Sequence, residues 1–489
     1  MKNVLIPFLS ALLLFGCSQN DSLSELNLQD NPASKPVRTA EQKAILKYIG
    51  RKSPKSRSAE DVSLIPYIVD GDTVMYLANY GDGWELFSND LRAPMVLMRS
   101  DEGSLYPGFI DNPSFKAFFD NTAETLAVLK EDDTVNADSI GSGWDSYISL
   151  YNEDNGWGND EDPNDPHNGY IYDCVGGTMP VQTEIEYTPQ GGRLNTKWGQ
   201  ESPYNQYIPF FYSETKKQYV HGVTGCVAIS TSQYLYWHHR QFGTPVATVD
   251  SAAYNSSKNR YYFYGQNSQI WNQFYDEDKN YMMYYHLQQM APTALFIGYI
   301  AHEVGTGFGL NSSGAYTMDG AKLIARLTGE PFTNTYSSTP TNLKKILDAG
   351  YPLLCSSQGG THTYKDEKDS TQTSGFSHSY IIDYMRTQIL RSESYYAYVP
   401  VKEGDDTEEA PDYDPWSLTL EELREIYGQV DVKIDTDYYN WVKMNWGWNG
   451  RYDNVEINYD LNKLYFGSGT EQFSNIVKPR IFYPSKIQL

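Results

Sequence analysis

A cysteine at the start of a helix-like segment is the feature that most constrains this chain. Residues 225–237 read GCVAISTSQYLYW. Small and apolar residues, among them Ala228 and Leu235, recur near the 3.6-residue period that predicts a helix. Cys226 then lies at the helix N-terminus, where unpaired backbone N–H groups and the helix dipole favour the thiolate. A small, buried and unreactive cysteine is the common alternative.

Two polar residues far downstream have the chemistry that a nucleophilic cysteine needs. His378 lies in a segment of alternating, β-branched residues, 377–384, which predicts a strand. Asn445 ends a second segment of this kind, and Gly447 breaks it. A thiolate needs a base, and the base needs a group that orients it. The order Cys, His, Asn along the chain therefore indicates a site for acyl transfer.

Five segments carry a resemblance to a known family. They are Trp198–Pro209, Gly225–Trp237, Gly309–Thr317, Ser377–Tyr384 and Val442–Gly450. In content and order they resemble the motifs of the streptopain family of bacterial cysteine peptidases, and the last is similar to the family's Asn-Trp-Gly-Trp-x-Gly motif almost letter for letter. The chain departs from the family where Phe376 and Ser377 replace two glycines before the histidine.

The resemblance implies an α+β fold, with a two-lobed papain-like peptidase domain at residues 176–489. A small α+β propeptide domain is expected at 39–150, where a helix at 40–49 and a hairpin turning at Asp70-Gly71 are predicted. An acidic linker and activation segment, 151–175, would join the two. The propeptide is expected to inhibit the peptidase until it is removed.

The resemblance also implies roles for residues at the site. Cys226 would be the nucleophile and His378 the general base and acid. Asn445 would orient the imidazole, and Trp446 would shield that contact from water.

Further residues would bind the substrate, which is a protein or peptide. The backbone N–H of Cys226, with Gln218 as a second donor, would stabilise the oxyanion. Ser312, Ser313 and Gly314 would line the cleft.

The N-terminus resembles a bacterial lipoprotein signal. An apolar run of about a dozen residues, Val4–Phe15, is shorter than the roughly 20 that span a bilayer. It is followed by Gly16 and Cys17. We therefore predict a signal peptide at 1–17, lipidation at Cys17 and a polar leader at 18–38. The protein would lie in the cell envelope as an outer-membrane lipoprotein, facing the periplasm or the surface, and would contact the membrane through its lipid alone.

Composition excludes other classes of function. The net charge is −24, from 62 acidic and 38 basic residues, which argues against a nucleic-acid partner because such proteins present a basic face. His302-Glu303 is similar to the start of a zinc motif, but position 306, where the second histidine is needed, is Thr306. No metal and no cofactor are expected.

Two alternatives fit the same residues. One is a different acyl transfer at the same site, as in a transpeptidase or transglutaminase. The other is a surface binding lipoprotein that keeps the fold without catalysis.

Overall fold

The computed structural model describes most of the chain after residue 38. The described residues are 39–52, 62–80, 82–131, 144, 170–177, 181–243, 253–255, 260–262, 285–365, 371–400, 418–459 and 479–489. The predicted signal peptide with Cys17, the leader and most of the acidic linker lie outside them. Residues 40–489 form one compact unit, and the predicted boundaries between propeptide, linker and peptidase domains stay predictions.

The helices include the predicted N-terminal helix and the helix that begins at Cys226. Those in the described ranges are α1 Ala40–Lys52, α2 Pro113–Glu131, α3 Cys226–Phe242, α4 Tyr285–Glu303, α5 Thr317–Thr328, α6 Pro340–Asp348 and α7 Leu420–Tyr427. In these ranges, no helix combines the length and the hydropathy that crossing a membrane requires.

Strands make up the rest of the regular structure. Those in the described ranges are β1 Leu64–Val69, β2 Asp72–Asn79, β3 Trp84–Ser88, β4 Val96–Ser100, β5 Tyr170–Gly177, β6 Val181–Tyr187, β7 Phe210–Ser213, β8 Gln218–His221, β9 Ala253–Asn255, β10 Arg260–Tyr262, β11 Phe332–Thr335, β12 Leu353–Lys365, β13 Thr371–Pro400, β14 Asp431–Asn445, β15 Glu456–Asn458 and β16 Arg480–Pro484. The mixture of helices and antiparallel sheet confirms the predicted α+β class.

The hairpin β1–β2 shows local sequence specifying structure. Asp70 and Gly71 both have positive φ, 50° and 97°, as a two-residue turn between twisted antiparallel strands requires. The strands pair from Leu64 with Ala78 to Val69 with Asp72. The predicted turn at Asp70-Gly71 is confirmed.

One large sheet joins the N-terminal block, residues 39–131, to the rest of the chain. Its strand order is β1-β2-β3-β4-β15-β14-β13-β12-β16-β11, and β5 and β6 also pair with β13. The junction is β4 against β15, where Arg99 pairs with Glu456 and Met98 with Ile457. The strand that carries His378 and the strand that ends at Asn445 are therefore in the same sheet as the N-terminal block.

A buried ionic cluster lies at this junction. The Arg99 Nε donates to Glu456 Oε2 at 2.8 Å, and the Arg386 guanidinium binds the same oxygen. Arg99 also lies over the Trp441 ring, with its guanidinium carbon 4.5 Å from the ring centroid. Removing one partner from a buried ion pair leaves an uncompensated charge, so such a cluster fixes the register of the two strands.

Aromatic packing on the other side of the sheet ties α2 to the loop after Asn445. Phe115 stacks on Tyr452 with ring centroids 4.4 Å apart. Phe115 and Phe118 also contact the Trp446 ring, at 6.0 and 5.8 Å. Buried aromatic pairs of this kind add stabilisation beyond their area, and here they hold the N-terminus of α2 over the candidate site.

Candidate active site

Cys226 lies at the first position of α3, as predicted. Gly225 precedes it with φ 88°, a conformation that residues with a Cβ rarely adopt. A Cβ at Gly225 would also lie 3.1 Å from the Ser313 carbonyl oxygen. The glycine is therefore needed both for the turn into the helix and for the close approach of the loop around Ser313.

The predicted cleft loop is placed beside the nucleophile. Ser313 Oγ donates to the Val223 carbonyl at 2.7 Å and accepts from the Gly309 N–H at 3.0 Å. Gly314 and Gly307 exchange two backbone hydrogen bonds. These contacts fix the loop of Ser312, Ser313 and Gly314 against the segment that leads into Cys226. Their role in substrate binding stays a prediction.

β13 brings the segment that contains His378 to Cys226. The backbone N–H of its neighbour, Ser379, donates to the Cys226 sulfur, with N and Sγ 3.4 Å apart. The imidazole itself has other partners. Its Nδ1 lies 3.3 Å from Ser114 Oγ, and its Nε2 lies 3.0 Å from the Trp446 carbonyl oxygen. Both ring nitrogens are thus engaged away from the thiol.

These contacts define one protonation state of His378. A carbonyl oxygen only accepts, so Nε2 donates to Trp446. Ser114 Oγ already accepts from the Trp448 indole N–H at 2.9 Å. The hydrogen of the Ser114 hydroxyl is therefore available to His378 Nδ1. The pattern assigns the neutral imidazole with the proton on Nε2.

Burial acts on both catalytic candidates in the same direction. It lowers the pKa of His378 to about 4, because the imidazolium is poorly solvated and the Trp446 carbonyl offsets this only in part. It raises the pKa of the Cys226 thiol, and the N–H of Ser379 opposes this shift. At neutral pH this arrangement holds a thiol and a neutral imidazole.

Asn445 is fixed by three hydrogen bonds. Its Nδ2 donates to the Thr196 carbonyl at 2.8 Å. Its Oδ1 accepts from Gln233 Nε2 and from the Gly447 N–H, both at 3.2 Å. Next to it, the Trp446 ring is buried and stacks on His378 at 6.0 Å between centroids. The amide is therefore in place before the imidazole reaches it.

The oxyanion donor predicted at Gln218 lies on an exposed ribbon. Gln218 begins β8, which pairs with β7, and its side chain is exposed. Another glutamine is bonded to the segment that leads into the nucleophile. Gln200 is buried, and its carbonyl accepts from the Thr224 N–H, two residues before Cys226, at 3.0 Å. The role of Gln218 stays a prediction.

The sequence interpretation missed Gln200 and Ser114. Gln200 falls in the segment Trp198–Pro209 that carries the resemblance, which was the available signal. For Ser114 the only available signal was its place after Asn112-Pro113, a pair that is typical of the start of a helix. The Asn112 side chain caps α2 by accepting from the Ser114 N–H at 3.0 Å. Asn112 also donates to the Arg451 carbonyl at 2.8 Å, which holds Ser114 at the histidine.

The family comparison agrees with this geometry. Residues 198–390 match the Peptidase C10 family. The predicted resemblance to the streptopain family is confirmed over these residues, which match a family of cysteine peptidases. No curated protein matches the chain.

Two solved structures are similar over long stretches. A mutant fragment of prointerpain A from Prevotella intermedia is 18% identical with a TM-score of 0.47, over 86% of this chain and 98% of that one. Active wild-type interpain A cysteine protease from the same organism is 18% identical with a TM-score of 0.32, over 61% of this chain and 94% of that one.

Metal ligation is not a feature of the described site. Over the ranges that the structure describes, no three His, Cys, Asp or Glu side chains are grouped to hold a metal ion. The site instead consists of a thiol, an imidazole, an amide and backbone N–H groups.

The pKa of His378 can be tested in the full-length chain carrying Cys226→Ala. NMR titration of labelled histidine should give a midpoint well below 6.5 for His378, with His378→Gln used for assignment. Because this pKa is lowered, the unfolded chain binds the proton more tightly, so the stabilisation is complete above about pH 6.5 and is lost as pH falls towards 4. A midpoint at or above 6.5 would contradict the buried, neutral assignment.

Proposed function

We propose that this protein is a secreted, lipid-anchored cysteine endopeptidase made as a zymogen. Cys226 supplies the thiolate, His378 is the general base and acid, and Asn445 orients the histidine. The N-terminal block is the propeptide, and it inhibits the peptidase until it is removed. Protein or peptide chains are the substrates.

The observation that carries this proposal is the contact between Ser114 and His378. Ser114 belongs to the N-terminal block, and its hydroxyl engages His378 Nδ1 at 3.3 Å while the ring's other nitrogen binds Trp446. A base for Cys226 must offer one ring nitrogen to the thiol. The block therefore inhibits by engaging the imidazole as well as by covering the site.

Activation requires the imidazole to exchange partners. Once Ser114 leaves, Nδ1 loses its hydrogen-bond donor and the ring gains access to solvent. Rotation then directs one nitrogen to the thiol of Cys226 and the other to Asn445. The proton moves from sulfur to nitrogen, and the ion pair of thiolate and imidazolium replaces the two neutral groups.

The reaction then follows from these groups. The thiolate attacks the peptide carbonyl carbon, and the backbone N–H of Cys226 stabilises the oxyanion. The imidazolium gives its proton to the leaving amine, which departs with the C–N bond electrons and leaves a thioester on Cys226. Water, deprotonated by His378, attacks the thioester carbonyl. The acid product and the free thiol are released.

Cys226→Ala should abolish peptide hydrolysis and leave the fold intact, because no other described group can supply the thiolate. Full-length Cys226→Ala should also accumulate without cleavage if processing is autocatalytic. Hydrolysis of a fluorogenic peptide measures the first outcome and gel analysis of the chain the second, while mass spectrometry locates the adduct of a thiol-directed epoxide peptide on the wild type. Cys355→Ala is the matched control because Cys355 is buried with a raised thiol pKa. Wild-type turnover by Cys226→Ala would exclude the assignment.

Ser114→Ala should speed conversion of the full-length chain by a factor of about 2–12, the equivalent of one net hydrogen bond of about 0.5–1.5 kcal/mol. Ser88→Ala is the control, because Ser88 Oγ bonds with Asp90 within the same block. Gel analysis over time measures both rates. Equal rates for Ser114→Ala and Ser88→Ala would mean that the contact with His378 does not maintain inhibition.

The lipid anchor is proposed from the N-terminal sequence alone. Signal cleavage before Cys17 and acylation of its thiol would tether the protein to the outer membrane. Mass spectrometry of the N-terminal peptide of the membrane fraction should find acyl chains on Cys17. Cys17→Ser should move the protein to the soluble fraction, whereas an unmodified Cys17 in a soluble wild-type protein would remove the anchor from the proposal.

A further inference from the structure

A short segment before the motif at Trp198 contacts both Asp383 and Asn445. We call residues 193–197 the strap. At its start, Arg193 Nε donates to Asp383 Oδ1 at 3.1 Å, and the Leu194 N–H donates to Asp383 Oδ2 at 2.7 Å. Near its end, the Thr196 carbonyl accepts from Asn445 Nδ2 at 2.8 Å. The strap therefore connects Asp383 to the amide that orients the histidine.

Asp383 is suited to anchoring the strap. It is fully buried on β13, five residues after His378. Each of its carboxylate oxygens has a strap partner. A buried carboxylate without partners is costly, so the anchor is fixed relative to the strand that carries the histidine.

Arg193 also contacts the segment that follows Asn445. Arg193 Nη2 donates to the Asp453 carbonyl at 3.1 Å. The Asp453 side chain in turn accepts from the Trp446 N–H at 3.0 Å. Burial and the neighbouring Asp383 raise the pKa of Asp453 to about 7, while the Trp446 N–H, and after it Arg193 and Lys197, act in the opposite direction. Arg193 thus bonds to the side chain of Asp383 and to the backbone of Asp453.

Asn445 depends on the strap for one of its three bonds and on α3 for another. Gln233 on α3 donates to Asn445 Oδ1, and its own Oε1 accepts from Thr196 Oγ1 at 2.9 Å. Thr196 therefore acts on Asn445 directly through its carbonyl and indirectly through Gln233. A displaced strap would move both partners of the amide.

We propose that Arg193 and Asp383 are positioning residues of the peptidase, which hold the strap so that Thr196 and Gln233 orient Asn445 toward His378. They act through Asn445 and contact neither the substrate nor the reacting atoms. This inference rests on the proposed function, because it assigns a task only if Asn445 orients His378.

The strap must then remain in the active enzyme. The last cut that removes the propeptide has to lie before Arg193, so the strap and its bonds to Asp383 persist after activation. Upstream of the strap, the Gln190 N–H donates to the Gly350 carbonyl at 2.9 Å, and β6 pairs with β13. N-terminal sequencing of the active species should find its first residue before Arg193. An active enzyme that begins after Arg193 would overturn the proposal.

The kinetic test uses the activated full-length protein and Arg193→Gln. A misoriented imidazolium pairs less well with the thiolate. We therefore expect kcat per titrated active site to fall about ten- to hundredfold with KM within about twofold. The acid limb of the activity profile should move to higher pH. Arg193→Lys, which keeps the charge, should recover part of kcat. Arg326→Gln, which removes an arginine from the exposed pair with Glu303, should match the wild type.

A merely structural role gives a different result. It would lower the titratable fraction while kcat per site and the acid limb stayed at wild-type values, and that outcome would overturn the proposal. If Arg193→Gln does not fold, Asp383→Asn, whose amide oxygen still accepts from Leu194, takes its place with the same expected result. Wild-type labelling at Cys226 and inactive Cys226→Ala, measured in parallel, separate failure here from failure of the proposed function.

Discussion

The neutral imidazole of His378 is the constraint on which the inactive arrangement depends. Its Nε2 donates to the Trp446 carbonyl and its Nδ1 accepts from Ser114. The bond in which Nδ1 accepts requires the uncharged ring, and burial favours that form by lowering the pKa. In the proposed zymogen, inhibition is therefore chemical as well as steric: the base is engaged by other partners, and its neutral form leaves the thiol of Cys226 protonated.

The shared sheet makes this inhibition cooperative. Ser114 alone would supply one modest hydrogen bond, but α2 also packs Phe115 and Phe118 on Trp446. The strand pairing between β4 and β15 adds the buried contact of Arg99 with Glu456. These contacts all lie between the N-terminal block and the rest of the protein. Separating the block therefore breaks them together. Under the proposed function, a cut in the chain is thus insufficient for activation until the block also leaves the sheet.

Local features of the chain could be predicted because local residues determine them. The positive-φ turn at Asp70-Gly71, the helix that begins at Cys226 and the strand around His378 each follow from spacing and turn chemistry within a few residues. The approach of Ser114 to His378, 264 positions away, follows from no local pattern. The same holds for Arg193 and Asp383, which are 190 positions apart. Such contacts depend on the order of the strands in the sheet, which makes neighbours of strands that are far apart along the chain.

The turn at Trp446 links the inactive and active arrangements. Its carbonyl accepts from His378, its N–H donates to Asp453, and its ring packs against both the imidazole and α2. Since the strap, Gln233 and Asp453 hold this turn and Asn445 independently of Ser114, departure of the N-terminal block removes a partner from the imidazole and none from the amide. In the proposed activation, the moving part is then the His378 side chain, which rotates toward an Asn445 that is already oriented.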